Sequence, residues 1–592
     1  MAPAPENAAI AAAFEEVSVL LELTGDNPHR VRSYASIART IEGLPEPAAT
    51  MLAAGTLTDV KGVGEGTAAR VKELATTGRL ALLDELRAKV PAGVLEILKV
   101  PGLGPKRARE IWQSLGVASL VELEYACLEN RLRDLKGFGD KTQQSVLKGI
   151  GFLKRSRGLR LVSQARQGAE RVLGRLQRSE AALRLAVTGD VRRMKATVTG
   201  LDLLATAHDA AGLLSAFNDM PFVEETVARD ASSGRVRLDD GLLVSLRVVP
   251  DDRFFAALVV STGSEAHVAA LSARCAKRGY RLAEDGLYEG DHRVRCEEEE
   301  DVYEAAGVPF VPPELREDGH VDRAAPADLV TIRDVRGILH AHSTWSDGAF
   351  SILEMAQKAA ETGFAWFAIC DHSEVATYAH GLDASRVRKQ WAEIDALNAK
   401  GLAGIPILKG IETDILPDGA LDLPEEILAG FDVVIGSVHS AFRQPEAVMT
   451  ERLLRAVRNP LLHVLGHPTG RLLLGREGYA FDLDRVLDAC QEAGTAVELN
   501  ANPHRLDLDE TALGGALRRG VPIAIDPDAH DLTGIDDVIY GVGTARRARV
   551  PRGAVLTALP LEEFRGWCAK KRGLPPPPPL VLGTATDEEP SA

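Results

Sequence analysis

Histidines and acids recur at the ends of short apolar runs in the C-terminal half of this sequence. Ile338-Leu339 leads into His340-Ala341-His342, with Asp347 five residues later. The run 365–370 ends in Asp371-His372, and the run 407–411 ends in Glu412. Val433 to Val438 ends in His439, and His463 to Gly466 ends in His467. Ala496-Val497 leads into Glu498, and Ile523 to Ile525 leads into Asp528-Ala529-His530. In a parallel barrel the C-terminal strand ends share one face, so these side chains are expected to meet in one site. Imidazole and carboxylate donors without thiolate suit manganese, zinc or iron better than a structural zinc site. So many donors exceed the needs of one ion, and two or three divalent metals follow if carboxylates bridge them. Such a cluster suits in-line attack of water on phosphorus, with cations neutralising the phosphoryl oxygens and the departing alkoxide.

The elements that must carry these residues can be outlined from composition and periodicity. Residues 1–150 read as helical, with amphipathic Ala- and Leu-rich runs broken by Gly-containing turns. Between about 185 and 255 short β-rich runs appear, such as Leu183-Ala186 and Leu242-Val249. A segment rich in Asp, Arg, Pro and Ala, Arg316 to Asp328, reads as a linker. After it, short apolar runs alternate with helical segments to about Leu556, which predicts a parallel α/β domain. Five prolines from Pro575 open a tail expected to be disordered to Ala592. The expected division is 1–150, 151–316, a linker at 317–334, a metal-site domain at 335–574 and the tail at 575–592.

A second chemistry is written into the N-terminal part. Gly62-Val63-Gly64, Gly102-Leu103-Gly104 and Gly137-Phe138-Gly139 repeat one pattern, each closing a short turn before a helix. Lys106 and Arg107 follow the second copy and Lys141 the third. The glycines allow a tight turn and close approach of a phosphate. The helix N-terminus behind them offers free N–H groups. These segments resemble helix-hairpin-helix motifs, so Gly62, Gly64, Gly102, Gly104, Lys106, Gly137, Gly139 and Lys141 are expected DNA contacts.

From Asn27-Pro28-His29-Arg30-Val31-Arg32 into the middle of the chain the sequence resembles a bacterial family X DNA polymerase. Thr188-Gly189-Asp190-Val191-Arg192-Arg193 stands where that family has its Gly-Ser-x-Arg-Arg nucleotide turn, and Leu246 to Val249 and Ser261 to Ser264 continue the match. The resemblance implies a palm and thumb, with departures at the chemistry. The family's Asp-x-Asp pair falls on Gly200-Leu201-Asp202, its third carboxylate on Ser245, and the turn's Ser on Asp190. Asp202, Arg192 and Arg193 therefore mark a degenerate site that cannot hold two metals well. Asp239 and Asp240 lie nearby but at the wrong spacing. The family's Schiff-base lysine falls on Arg70, which stays protonated and cannot act as an amine nucleophile. Lys72, two residues on, belongs to another helix face.

Residues 336–550 resemble a PHP (polymerase and histidinol phosphatase) domain through His340-Ala341-His342-Ser343, Asp371-His372-Ser373, Gly466-His467-Pro468-Thr469-Gly470-Arg471 and Asp528-Ala529-His530. Carried over by position, the resemblance implies His340, His342, Asp347, His372, Glu412, His439, His467, Asp528 and His530 as catalytic metal ligands in a distorted (βα)7 barrel. Glu498 and His504 match no ligand position. Arg471 is a candidate contact to substrate phosphate and His380 a candidate to face the site. Pro527 stands where relatives carry Ser or Thr. The order of parts implies a manganese-dependent DNA 3'-5' exonuclease or end-processing phosphoesterase acting in DNA repair. Alternatives are a gap-filling polymerase, a histidinol-phosphate-like phosphatase and a non-catalytic DNA-binding scaffold.

The net charge of -16 argues against a general nucleic-acid binder. It is unevenly spread: Met1 to Ile150 carries -1, and Gly151 to Gly200 carries +9 from 12 Lys+Arg and 3 Asp+Glu, so that basic segment is a local phosphate-facing candidate. The six cysteines show no C-x-x-C spacing, which disfavours a zinc finger or disulfide framework and suits a reducing cytoplasm. No signal peptide or membrane span is indicated. A cytoplasmic, nucleoid-associated protein with DNA as its partner is expected, and no protein partner is implied.

Overall fold

The computed structural model describes residues 7–583 apart from 45, 129–130, 136, 156–157 and 475–476. Lys136 of the third hairpin therefore lies outside the described residues. The chain divides into two units, Met1–Arg157 and Gly158–Ala592.

The first unit is helical. Helices Asn7–Thr24, Pro28–Glu42, Glu65–Thr77, Pro105–Leu115 and Asp140–Arg155 surround a core that includes Phe14, Leu21, Ile41, Val71, Ile97, Ile111 and Ile150. The three repeated turns have one geometry. In each, the residue between the glycines is buried, and its N–H donates over 3.0 Å to the carbonyl three residues earlier: Val63 to Val60, Leu103 to Val100 and Phe138 to Leu135. The first glycine is left-handed, with φ of 96° at Gly62 and 86° at Gly102 and Gly137, where a side chain would be strained. The second glycine caps the following helix.

The second unit opens with helix Val162–Leu176 and a five-stranded sheet. Its strands are β1 (Ala182–Thr188), β2 (Leu201–Ala207), β3 (Val223–Arg229), β4 (Ser233–Leu238) and β5 (Leu243–Val248), in the order β1-β2-β5-β4-β3. β2 and β5 are parallel and the other pairs antiparallel. Helices Phe254–Thr262 and Glu265–Lys277 and a small antiparallel sheet follow.

Seven parallel strands then pair in chain order: β6 (Gly337–Ile338), β7 (Trp366–Ile369), β8 (Ile407–Asp414), β9 (Val433–Ser437), β10 (Val464–Leu465), β11 (Ala496–Asn500) and β12 (Ile523–Asp526). The ring is closed beyond β6 and β12, where the His342 N–H donates to the Ala529 carbonyl (2.8 Å) and the Ala529 N–H to the His340 carbonyl (3.2 Å). This is the distorted (βα)7 barrel. Its outer helices are punctuated by the chain itself. Ser351 and Glu354 form a capping box, and Asp383, Asp482 and Asp509 cap three further helices. Gly363, Gly401, Gly494 and Gly520 end those helices in the left-handed conformation. Leu339, Trp366, Leu408, Ile435 and Val464 fill the interior, and Phe564 of helix Leu561–Lys571 stacks on Trp366 at 4.7 Å. The strand ends opposite that helix are left for polar side chains.

Two expectations are corrected. The segment 317–334 is not a free linker: Glu317 binds Arg193 and Arg547, the Val330 N–H donates to Val550, and the Arg549 guanidinium donates to the Arg323 carbonyl. Its charged residues read as solvated in sequence because their partners lie far away in the chain, with Glu317 124 residues from Arg193 and 230 from Arg547. Residues 575–583 are not a loose tail either. Arg565 donates to the Pro578 carbonyl (2.7 Å), Leu580 packs on the barrel core, and the Gly583 N–H donates to Asn398. Among the described residues no helix is long and apolar enough to cross a membrane.

Candidate metal centre

All nine expected donors come together at the C-terminal end of the barrel. Glu412, at the end of β8, is the hub. Its Oε2 lies 2.9 Å from His372 Nδ1, 3.4 Å from His340 Nε2 and 3.7 Å from His342 Nε2. Its Oε1 lies 2.9 Å from His467 Nε2 and 3.2 Å from His439 Nε2. Asp528 Oδ1 approaches His342 Nε2 (3.2 Å), His340 Nε2 (3.6 Å) and His530 Nδ1 (3.8 Å). Asp347 lies between His372 (3.4 Å), His530 (3.5 Å) and His342 (3.7 Å). Three carboxylates thus face overlapping sets of imidazoles: His342 is common to all three, and His340, His372 and His530 are each shared by two.

The electrostatics fit a donor set. Burial drives the His342 imidazole down to about 3, and the neighbouring His530 and His372 rings push the same way, so this ring is neutral. Burial also opposes charge on His372 and His439, but Glu412 with Asp347 raises the first to about 10, and Glu412 with Asp414 raises the second to about 9. Glu412 and Asp528 are held well below the ordinary carboxylate range against their burial, by His439 and His340 for the first and His340 and His342 for the second. Ionised carboxylates in a buried site require cations beside them. His340 Nε2, His342 Nδ1 and His467 Nδ1 are buried without a hydrogen-bond partner. The ligand atoms of His342, Asp347, His372 and His530, of His340, His342 and Glu412, and of His372, Glu412 and His439 form three overlapping groups, each tight enough for one ion. The residues present fit a metal cluster.

Residues behind the donors orient them. Glu498 Oε1 accepts from His340 Nδ1 (2.6 Å), its Oε2 from the His467 N–H, and Asp414 lies 3.4 Å from His439 Nδ1. Asp371 accepts from the Ser343 N–H (2.8 Å), the Ser343 hydroxyl (2.7 Å) and Gln390 Nε2 (2.6 Å), which fixes the turn after His342. Sequence reasoning noted Asp371 without giving it a role and passed over Asp414 and Asp526. The signal for Asp414 was the strand period of two, which puts it on the face of Glu412.

The other expectations divide. Arg471 does not face the centre: it donates to the Arg505 (2.9 Å) and Leu506 carbonyls and to Asp509 (3.2 Å). Arg505 faces it instead, with Nε 3.5 Å from Asp528 Oδ2. His380 and His504 are exposed and stand outside the cluster. Asp528, after Pro527, takes a left-handed φ of 52°.

In the five-stranded sheet, Asp202 and Ser245 are register partners and hydrogen-bonded. Gly200 lies against the Leu243 carbonyl, 2.8 Å from where a Cβ would sit. Arg192 makes two bonds to Glu299 (2.7 and 2.8 Å), and Arg193 binds Asp190, Glu317 and the Thr262 carbonyl. Asp239 is paired with Arg171 rather than with Asp202. In the first unit, Gly64, Gly104 and Gly139 have open space where a Cβ would be. Gly64 and Gly104 also have ordinary φ, so neither packing nor conformation demands glycine there. Arg107 is spent internally, on the Gly102 carbonyl and the Phe138 ring.

Four family models match: a helix-hairpin-helix domain over residues 5–80, a SAM-like helix-hairpin-helix tandem over 94–151, a DNA polymerase beta thumb over 257–317 and a PHP domain over 339–502. Fold and site together define a family X polymerase-like chain with hairpin modules and a C-terminal PHP domain. The "DNA polymerase/3'-5' exonuclease PolX" of Bacillus subtilis (strain 168) is 34% identical over 560 residues, covering 94% of this chain and 98% of that protein. The chain belongs to this PolX family. Its PHP region is also similar to probable phosphatases. One from Caldanaerobacter subterraneus subsp. tengcongensis is 31% identical over 32% of this chain and 74% of its own length. One from Acetivibrio thermocellus is 32% identical over 32% of this chain and 78% of its own length.

Proposed function

We propose that this chain is a metal-dependent phosphodiesterase that shortens DNA from its 3' end in DNA repair, and that its polymerase-like core no longer extends primers. A contrast within one unit carries the reading. At the barrel mouth nine donors face one another, while in the palm Asp202 is the one carboxylate at the three positions where the family holds metals. The nine donors are the ligands of two or three divalent cations, manganese before zinc or iron. Those cations supply the charge that activates water and stabilises the phosphoryl oxygens and the departing alkoxide.

The chain's own residues do the rest. Glu498 and Asp414 turn His340 and His439 toward the centre. Arg505 stands at the rim, where a guanidinium binds a phosphate oxygen. Phe442 and Tyr479, stacked 6.1 Å apart on the segments that follow His439 and His467, offer an aromatic face to an unpaired base. The hairpin turns bring backbone N–H groups to DNA phosphates without reading bases. A phosphomonoesterase is the second reading, favoured by the probable phosphatases that share the PHP region. It leaves the hairpin unit without a use.

The test is the full chain with a 5'-labelled primer–template, with and without dNTPs. Manganese-dependent shortening, abolished by chelation and by His342→Ala, is the expected result. Phosphate release from histidinol phosphate with DNA left intact would move the assignment to the phosphatase. Primer extension that disappears in Asp202→Ala would overturn the polymerase half of the reading. DNA shifted on a gel but never cut would leave a scaffold.

A further inference from the structure

A line of ion pairs and hydrogen bonds, joined at one step by the backbone between Asp509 and Glu510, runs from the degenerate nucleotide turn to the barrel mouth. Arg193 has a side chain only 8% exposed. Its Nε donates to Glu317 Oε1 (2.9 Å), and the same oxygen accepts from Arg547 Nη1 (2.7 Å). Arg547 Nη1 also donates to the Arg193 carbonyl (3.1 Å), and its Nη2 to Glu510 Oε1 (2.8 Å). Glu510 opens the helix whose N-cap is Asp509. Asp509 accepts from Arg471, and Arg471 donates to the carbonyls of Arg505 and Leu506. Arg505 then reaches Asp528.

Packing follows the same line. Leu506, 1% exposed, belongs to the hydrophobic core of the five-stranded sheet rather than that of the barrel, and Leu473 packs there with it. Met194, at the end of the nucleotide turn, fills the space over Gly543, where a Cβ would lie 2.5 Å from its Cε. The loop 501–509 is held to the barrel by a mutual pair of bonds between Asn500 and Asp507 (2.6 and 3.2 Å). On its other side it is held by the palm.

We propose that the former nucleotide turn has become a brace for the hydrolytic site, with Arg547 the positioning residue that couples Arg193 and Glu317 to the loop carrying Arg505. The proposal rests on the phosphodiesterase reading for its functional consequence. Its physics does not depend on that reading. Arg193, Glu317, Arg547 and Glu510 alternate in sign, so the two buried guanidiniums, 8% and 9% exposed, are compensated by partly exposed carboxylates. Removing one leaves its neighbours uncompensated in a low-dielectric interface. Burial opposes the Arg547 charge, yet Glu317 and Glu510 hold it protonated. A guanidinium that makes three directed bonds fixes the loop in one register, which a purely apolar contact would not. The polymerase-like core is thereby part of the hydrolase, and its retention without a full set of carboxylates has a physical reason.

The experiment measures amide hydrogen exchange of the full chain, with manganese content and turnover of labelled DNA beside it. Arg547→Met and the isosteric Glu317→Gln are expected to speed exchange within 501–509 by about tenfold while the barrel strands keep their protection. Manganese per chain stays at the wild-type level, because no ligand is touched. The kcat on DNA falls roughly tenfold with KM within about twofold, the signature of a misplaced rather than missing group. Arg547→Lys, which keeps the charge but not the fork, recovers part of both effects. Unchanged exchange in 501–509 in both Arg547→Met and Glu317→Gln overturns the brace. So does acceleration spread evenly over the second unit, because that reports global loosening. If the wild type cuts no DNA, the phosphodiesterase reading fails alone, and the exchange data still decide the brace.

Discussion

Arg505 and Arg471 show how little residue type says about role. They lie on the same side of the mouth, and each side chain is 20% exposed. Arg471 has three partners within the neighbouring loops, one on each guanidinium nitrogen, which hold it away from the centre. Arg505 touches Asp528 at 3.5 Å from the rim and has donors to spare. A charge-assisted bond to a phosphate oxygen contributes about 1.5–3 kcal/mol, so Arg505→Met is expected to lower kcat/KM on DNA by roughly ten- to hundredfold. Arg505→Lys retains the charge and recovers part of that loss. Bound manganese, read by elemental analysis, stays the same in both variants. Equal loss of metal and activity in Arg505→Met would instead make Arg505 a prop for Asp528. The effect of Arg471→Met should appear in the order of loop 501–509 rather than in metal affinity.

At the scale of elements, the charged contacts that join sheet to thumb set an acid limit. Glu299, 8% exposed, lies between Arg192 and Arg316, and Glu317 between Arg193 and Arg547. Burial raises both carboxyls, but the arginines outweigh it and hold them below the ordinary value. Their contribution is therefore complete above the unfolded glutamate value of about 4.3 and is lost as pH falls through the lower folded value. Calorimetry of the full chain should show the second unit's transition moving down in temperature below about pH 4. Glu299→Gln should flatten part of that dependence while costing about 3–5 kcal/mol at neutral pH, since two guanidiniums lose their shared partner. An acid profile identical to wild type would remove Glu299 from the account. These same contacts mark where sequence reading stops. The barrel strands were legible because apolar runs ended in His, Asp or Glu, and even the two-residue strands β6 and β10 were flagged by His340 and His467. The hairpins were legible because three turns repeat. Pairs such as Arg193–Glu317, separated by 124 residues, and Arg547–Glu317, separated by 230, have no period and no motif. So the segment around Glu317 read as a linker, and Arg471 as a candidate contact to substrate phosphate.

For the whole molecule, the decisive matter is whether the proposed loss of palm chemistry is one of point substitution or of remodelling. If only carboxylates were missing, restoring them would restore extension. The structure argues for remodelling. A side chain at Gly200 would meet the Leu243 backbone carbonyl, which no rotamer change relieves. Asp190, in the position of the nucleotide-binding Ser, is held by Arg193 and by Lys195 at 3.6 Å, and Arg193 is committed to the barrel through Glu317 and Arg547. A triphosphate entering the turn would need to displace two ion pairs and open the brace that supports the hydrolytic site. The triple variant Gly200→Asp, Ser245→Asp, Asp190→Ser is therefore expected to give no primer extension with magnesium or manganese. It should also destabilise the second unit, by about 1–3 kcal/mol from overpacking at Gly200 alone. Shortening of DNA in the single variant Asp202→Ala should continue, because Asp202 lies against Gly189 of the turn but supplies none of the bonds among Arg193, Glu317, Arg547 and Glu510. Extension by the triple variant would show that the nucleotide site is merely unequipped. The hydrolase and the polymerase would then be separable within one chain, whereas the contacts described here make the first depend on the closure of the second.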